Sequence, residues 1–569
     1  MAVREVILDG VRGRQRDGGA VPGAPRRPIR YILEFEVPPE PGDVASAIGR
    51  DLRISVGVAR LSEAHRQGGG GPDDGLARFL AVTVDGIEPA DIAGSPFEVG
   101  YALADAAGAV TAEPELGTDF YVVPRRGDPD VQAEVDVPFG CWVDQAEDPS
   151  GANRLWALEK IQAIAAWERP PNEGGRARGE GIRVFQPDTG VADHAELEAG
   201  LIDMAGAYDF IADAPGALDP LDYDGNPGHG TGTASVVASR VDGGMSGAAP
   251  LASLVPLRAV ESVVVLDHGR VAAAVEHARR NGAHVITMSL GGAWSSSLRA
   301  AIGRAIEDGV IVLAAAGNCV GAVVWPARYE EVIAVAASNI HDRPWQGSCR
   351  GGAVDVTAPG EFVPRANRAP ENGGSPTDVR GGQGTSFAVA LTAGVAALWL
   401  AHNGIDAIKA SLGPGETVQG RFVRLLRETS WRPAGFDTGA FGAGIVHAAD
   451  LLGRGIGAAG AAGPTASFDA PAAYSDSLHS LRTLIAEGME APADVRPEAV
   501  AVEAAAPDGL AGRRFAAELS HLALRARRAT DRTAGTPGPV AAEPAEPGFA
   551  MSPTLAEVIR QRVARDLAG

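Results

Sequence analysis

Between about Arg154 and Leu452 the chain alternates short aliphatic runs with helical stretches, and this alternation leaves few folds open. The runs are IRVFQ, SLVPLRAV, VITMSL, VIVLAAAG, VIAVAAS and VDVTAPG. They are dominated by consecutive aliphatic and β-branched residues rather than by strict alternation with polar ones, as strands are when helices cover both faces of their sheet. Residues 154–454 therefore predict an α/β domain with a doubly wound, mostly parallel sheet.

The flanks read differently. Residues 1–29 are basic and rich in Gly and Pro, which predicts a flexible arm. Residues 30–123 predict a small α+β domain. Its strands are YILEFEV from Tyr31, FLAVTV at Phe79–Val84 and a third near Val110–Glu113. Its helices lie around Val44–Leu52 and, from a Ser95-Pro96 start, through Val99–Ala107. The segment QGGGGPDDG at Gln67–Gly75 breaks the domain, and residues 124–153 predict a linker. Residues 455–569 turn rich in Ala, Pro and Gly. They predict a partly disordered tail with three amphipathic helices near Ser475–Met489, Ala511–Arg528 and Pro553–Leu567. The last helix has Ser552 to cap it and Pro553 at its first position.

Composition narrows function. Fifty Lys and Arg against 72 Asp and Glu give a formal charge of −22, which disfavours binding to phosphate backbones or anionic lipid. The N-terminus MAVREVILDG lacks the apolar core of a signal peptide. The run AVALTAGVAALWLA from Ala388 reads as too short to span a bilayer, so a cytoplasmic protein is expected. Three cysteines, Cys141, Cys319 and Cys349, are too few and too odd in number for a disulfide framework and suit a reducing compartment.

Three segments carry chemistry when read together. VFQPDTGV puts Asp188 at a strand end, GHGTGTASVVAS puts His229 at a helix start, and GGQGTSFAVALTAGVAALWL puts Ser386 at the start of a long apolar helix. Separately they read as a turn, a polar surface group and a cap. Jointly they supply a hydroxyl nucleophile, an imidazole to take its proton, and a carboxylate to orient that imidazole. Strand ends and helix starts bring the three to the carboxyl edge of one sheet. Gly384 lets the backbone approach a substrate, and the helix at Ser386 offers N–H groups to developing negative charge.

These segments, in the order Asp, His, Ser, resemble the subtilisin family (subtilases). The likeness extends to GAAPLASLVPLRAV at Gly247–Val260, ITMSLGG at Ile286–Gly292, AAAGNCVG at Ala314–Gly321, WPARYEEVIAVAAS, VDVTAPG, the closing helix GAGIVHAADLL and the entry segment RLWALEKIQAIAAWE. It implies a sheet of the subtilisin type and a serine endopeptidase working through an acyl-enzyme. Asp188 would orient His229, His229 would act as base and then acid, and Ser386 would attack the carbonyl. Asn318 and the Ser386 N–H would form the oxyanion hole. Ser289, Leu290 and Gly291 would pair with the substrate, facing Ala315, Ala316 and Gly317 across the pocket. Its partners would be protein or peptide substrates.

The resemblance has gaps. Gly232 stands where the family commonly has a second histidine, Ala390 and Leu391 replace a common Pro-His, and Pro187 precedes Asp188 in place of an aliphatic residue. Pro187 removes a backbone donor from a central strand and motivates the alternative of a catalytically latent, peptide-binding scaffold. No organic cofactor is required. Calcium is common in the family, but the spacing of Asp219, Asp222 and Asp224 matches no ligand motif, so a solvated turn is expected and no metal residue is assigned. Cys319 is expected as a small buried side chain, and segment proximity admits a Cys319–Cys349 disulfide. Residues 30–123 also resemble the inhibitor-like propeptide of subtilases, which implies intramolecular inhibition; the alternative is a permanent regulatory or partner-binding domain. The tail helices would then serve a protein partner, or deliver substrate to a dedicated processing protease.

Overall fold

The computed structural model describes residues 8–13, 15, 28–61, 76–87, 92, 94–116, 148–197, 200–223, 225–240, 244–265, 267–368, 375–458, 513–524 and 551–568. The expected helix at 475–489, most of the expected linker, Asp224 and Cys141 lie outside these residues.

The N-terminal part is a four-stranded antiparallel sheet. Its strands are β1 (Arg30–Glu34), β2 (Val56–Arg60), β3 (Phe79–Val84) and β4 (Thr111–Glu115), ordered β2-β3-β1-β4. Helices α1 (Pro41–Leu52) and α2 (Pro96–Ala107) cross it. β2 is absent from the sequence reading. Its residues VGVAR alternate half-buried and exposed, with no fully buried position to mark them.

The large sheet is built from the aliphatic runs. Its strands are β5 (Arg183–Asp188), β6 (Ser253–Arg258), β7 (Val285–Met288), β8 (Ile311–Ala315), β9 (Ile333–Ser338) and β10 (Val356–Pro359). They run parallel in the order β10-β9-β8-β7-β5-β6, and two two-residue strands at Tyr208 and Ala214 extend the β6 edge. From β5 the chain adds β6 on one side and β7 on the other. The reversal leaves a crevice at the carboxyl end of β5, where open α/β sheets bind ligands.

Four helices matter for the site: α3 (His229–Ala238), α4 (His268–Arg280), α5 (Ser296–Glu307) and α6 (Thr385–Asn403). α6 is long and apolar enough to cross a membrane, more than AVALTAGVAALWLA suggested, yet all of it is buried inside the protein. It is helical despite four β-branched residues because both of its faces pack.

The N-terminal sheet seats on the starts of two helices. Glu113 Oε1 accepts from Ser296 N at 2.8 Å at α5, and Glu115 Oε1 accepts from Gly269 N at 2.9 Å at α4. Each carboxyl supplies an acceptor that a helix start lacks. The helix over residues 513–524 wedges against both bodies. Arg513 pairs with Glu34 at 2.5 Å, Arg514 with Asp105 at 2.6 Å, and Ser520 Oγ accepts from Trp294 N at 3.0 Å. Phe515 meets Tyr101 edge-on with ring centroids 5.0 Å apart. Buried Glu518 accepts from Tyr101 Oη at 2.8 Å and from Ser552 N at 2.5 Å, so it fastens the helix Pro553–Ala568 to the same place. Ser552 caps that helix through Leu555 N, as expected from the sequence.

Burial raises Glu113 and Glu518 from 4.5 to about 7, against the hydrogen bonds that Ser296 and Ser552 donate to them. Facing carboxyls add to the rise, Glu34 at Glu113 and Glu98 at Glu518. An undocked carboxyl titrates near its ordinary value, so docking takes up protons between these limits. The carboxyl share of the attachment is largest at low pH, fades as pH climbs through about 7, and is flat beyond. Two histidines at the same junction act the other way: burial lowers His268 to about 4 and His521 to about 3, so docking also sheds the protons these rings would carry below about 6.5. With both rings removed (His268→Asn, His521→Asn), amide hydrogen exchange over residues 96–115, corrected for intrinsic rates, is expected to be slower at pH 5.5 than at pH 8. The reverse order in that variant would contradict this electrostatic account.

Candidate active site

Asp188 closes β5 and is 1% exposed. Its Oδ1 accepts from Thr189 N at 2.7 Å and faces His229 Nδ1 at 2.8 Å. Its Oδ2 accepts from Thr233 Oγ1 at 3.3 Å and from Gln186 Nε2 at 3.5 Å. A buried carboxylate needs such donors, because leaving one unsatisfied costs about 1–3 kcal/mol or more. Pro187 does not disturb this arrangement. The pairing of β5 with β7 is at Val184 and Phe185, before Pro187, while on the other side Pro187 keeps register with Leu257 of β6.

His229 is the first residue of α3 and Ser386 the second of α6. Both are buried, and Phe387 lies beside the His229 ring with centroids 6.5 Å apart. Ser386 Oγ donates to Ser289 O at 3.4 Å, while Ser289 Oγ donates to Ser386 O at 3.0 Å. Position Gly232 is occupied from outside: a Cβ there would lie 2.8 Å from Arg365 Cδ. Any larger residue at 232 would displace this buried arginine, whose guanidinium sits 5.9 Å from the Phe387 ring centre.

Asn318 follows β8. Its Oδ1 accepts from Thr385 N and from Thr385 Oγ1, both at 2.9 Å. Thr385 Oγ1 in turn accepts from Gly317 N at 3.1 Å. With the carbonyl end of the amide so held, Nδ2 is the end left to donate. Gly384, at φ +147°, is where the backbone comes close: a Cβ there would stand 3.1 Å from Asn318 Nδ2 and 3.8 Å from Ser386 Oγ. The Ser386 N–H belongs to the first turn of α6, whose N–H groups the helix itself leaves unbonded.

The expected wall residues flank Ser386. Ser289, Leu290 and Gly291 follow β7, and Ala315, Ala316 and Gly317 follow from the end of β8. Gly291 N already donates to Val263 O at 2.8 Å, so substrate pairing on that side falls to other groups of the segment.

Several supporting residues escaped the sequence reading. Gln186, buried in β5, also donates to Thr233 Oγ1 at 2.6 Å and to Gly230 O at 3.0 Å; a glutamine inside an apolar run was the available signal. Asp219 was read as part of a solvated turn, yet it is 6% exposed. It accepts from Thr189 Oγ1 at 2.9 Å, Gly228 N at 2.8 Å and Leu221 N at 3.0 Å, tying the Asp188 loop to the start of α3. Its oxygens are committed to these donors, and burial raises its pKa despite them. No group of three or more metal-ligating side chains occurs among the described residues.

The cysteines also depart from expectation. Cys319 is half-buried and disulfide-bonded, and Cys349 is a buried thiol outside any disulfide, so the two are not joined to each other. Their backbones are adjacent, with Cys319 N donating to Gly347 O and Cys349 N to Gly317 O, but the Cys349 sulfur lies against Gly317.

Thr385→Val would leave Gly317 N without its acceptor and remove one of the two donors that hold Asn318. At about 1 kcal/mol for each of the two lost hydrogen bonds, kcat is expected to fall by up to roughly thirtyfold with KM little changed. Thr385→Ser should restore it. A change confined to KM would show that Thr385 does not position Asn318.

The sequence model described as the Subtilase family matches residues 179–430. The chain is 34% identical over 266 residues to thermitase of Thermoactinomyces vulgaris, an alignment covering 46% of this chain and 86% of thermitase. It is 33% identical over 250 residues to subtilisin Savinase of Lederbergia lenta, covering 43% and 82% respectively. A solved protease from Pseudoalteromonas arctica shares 27% identity at a TM-score of 0.44 and covers 55% of this chain and all of its own. The relation to thermitase spans most of that enzyme, and this chain belongs to the subtilase family of serine endopeptidases.

Proposed function

We propose that the chain cleaves peptide bonds through an acyl-enzyme on Ser386. His229 takes the hydroxyl proton as Ser386 Oγ attacks the scissile carbonyl, then returns that proton to the leaving amine. Asp188 holds the imidazole through Nδ1 and stabilises the cation that forms. Asn318 Nδ2 and the Ser386 N–H take up the charge on the carbonyl oxygen. Water, with its proton drawn to His229, then cleaves the ester. The observation that carries this reading is the 2.8 Å Asp188–His229 contact at the crevice end of β5, with Phe387, the residue after Ser386, against the His229 ring. No cofactor takes part in these steps.

Ser386→Ala is expected to abolish labelling by a serine-directed phosphonate, and persistent labelling would sink the assignment. Asn318→Ala should lower kcat by about 10²–10³ at nearly constant KM, the loss attached to an oxyanion-hole donor in a subtilisin.

The packing of the flanks favours a restrained enzyme. The N-terminal domain acts as an intramolecular inhibitor, and the segments 513–524 and 551–568 keep it seated through Glu518, Arg513 and Phe515. Burial of the Phe515 ring alone contributes roughly 1.5–3 kcal/mol. Ending the chain at residue 512 is expected to raise peptidase activity and loosen the N-terminal domain. Unchanged activity with a still-protected domain would argue against restraint by the tail.

A further inference from the structure

The pocket beside Ser386 has two walls and a floor. β7 and β8 pair side by side as far as Met288 and Ala314, and their continuations Ser289–Gly291 and Ala315–Gly317 form the walls. The segment Ala322–Trp325 lies between them. Val324 N donates to Ala316 O on one wall at 3.0 Å. Trp325 N donates to Gly292 O at 3.1 Å, and Gly292 N donates to Trp325 O at 2.7 Å, beside the other wall. The floor is thus hydrogen-bonded on both sides.

From this floor the Val324 side chain stands up between the two glycines. A Cβ on Gly291 would overlap Val324 Cγ2. A Cβ on Gly317 would lie 2.8 Å from the same methyl and 3.2 Å from Cγ1. The room that two wall glycines leave is therefore filled by one valine. The floor cannot recoil, because Trp325 behind it is fully buried and packs edge-on against Trp294 with centroids 6.2 Å apart.

We propose that Val324 truncates this pocket and restricts the residue on the acyl side of the scissile bond to Ala, Ser or Gly. The proposal rests on Ser386 as the nucleophile and deepens it by naming a substrate class. A pocket closed by two methyls excludes an aromatic or long aliphatic side chain sterically, whereas a small one needs no movement of the floor.

The test compares two peptidyl phosphonates that label an active serine and differ only in carrying Ala or Phe at the acyl position. Full-length wild type is expected to react with the Ala probe at least about tenfold faster. The ratio should narrow in Val324→Ala and invert in Val324→Gly. Both probes read the same folded population, so partial unfolding of a variant leaves the ratio intact. Similar rates for the two probes in wild type, or a wild-type ratio in Val324→Gly, would overturn the pocket assignment. Labelling that survives in Ser386→Ala would overturn the nucleophile beneath it instead.

Discussion

A single buried carboxylate sets the terms for the site. Asp188 is held at the end of the central strand by donors from four residues, Thr189, His229, Thr233 and Gln186. A second buried carboxylate, Asp219, reaches Thr189 from the other side and grips Gly228, the residue before α3. Strand, loop and helix are therefore joined through two anions, each satisfied by N–H and O–H groups rather than by a cation. Such an arrangement orients an imidazole more tightly than an ion pair would, because the donors are fixed on backbone and short side chains.

The formal charge of −22 says little about this site and more about the rest of the molecule. The crevice is lined by hydroxyls, amides and glycines. Buried charge collects instead where the N-terminal domain, α4, α5 and the C-terminal segments meet: Glu34 with Arg513, Arg30 with Glu115 and Asp267, and Glu113 and Glu518 on helix and loop N–H groups. Breaking a buried pair exposes an uncompensated charge, so such contacts favour one seating over near alternatives more than they add net stability. A domain seated this way is specific in position yet sensitive to proton concentration.

The parallel sheet and the placement of Asp188, His229 and Ser386 were legible because each rests on local pattern: apolar runs, glycines at turns, helix starts. What was missed depends on tertiary context. β2 carries no buried run and exists only because β3 lies beside it. Asp219 looks solvated in LDPLDYDGNPGHG and becomes buried only when the loop folds back over Thr189. Cys319 and Cys349 sit on adjacent backbone segments, and that proximity suggested a bond, yet Cys319 is taken up by a disulfide that does not include Cys349. With Cys319 in a disulfide, the cysteine count also loses its force as an argument for a reducing compartment.

The walls and floor of the pocket differ in how freely they can change. Gly317 is coupled to Thr385 and through it to Asn318, so a side chain there would disturb the donor that faces the carbonyl oxygen. Gly291 and Gly292 are fixed by hydrogen bonds to Val263 and Trp325. Val324 alone among these positions contributes bulk without bonding to the catalytic groups through its side chain. Pocket depth can therefore vary at Val324 while the chemistry stays constant, as expected where one scaffold serves many substrates by altering a residue that touches only the substrate.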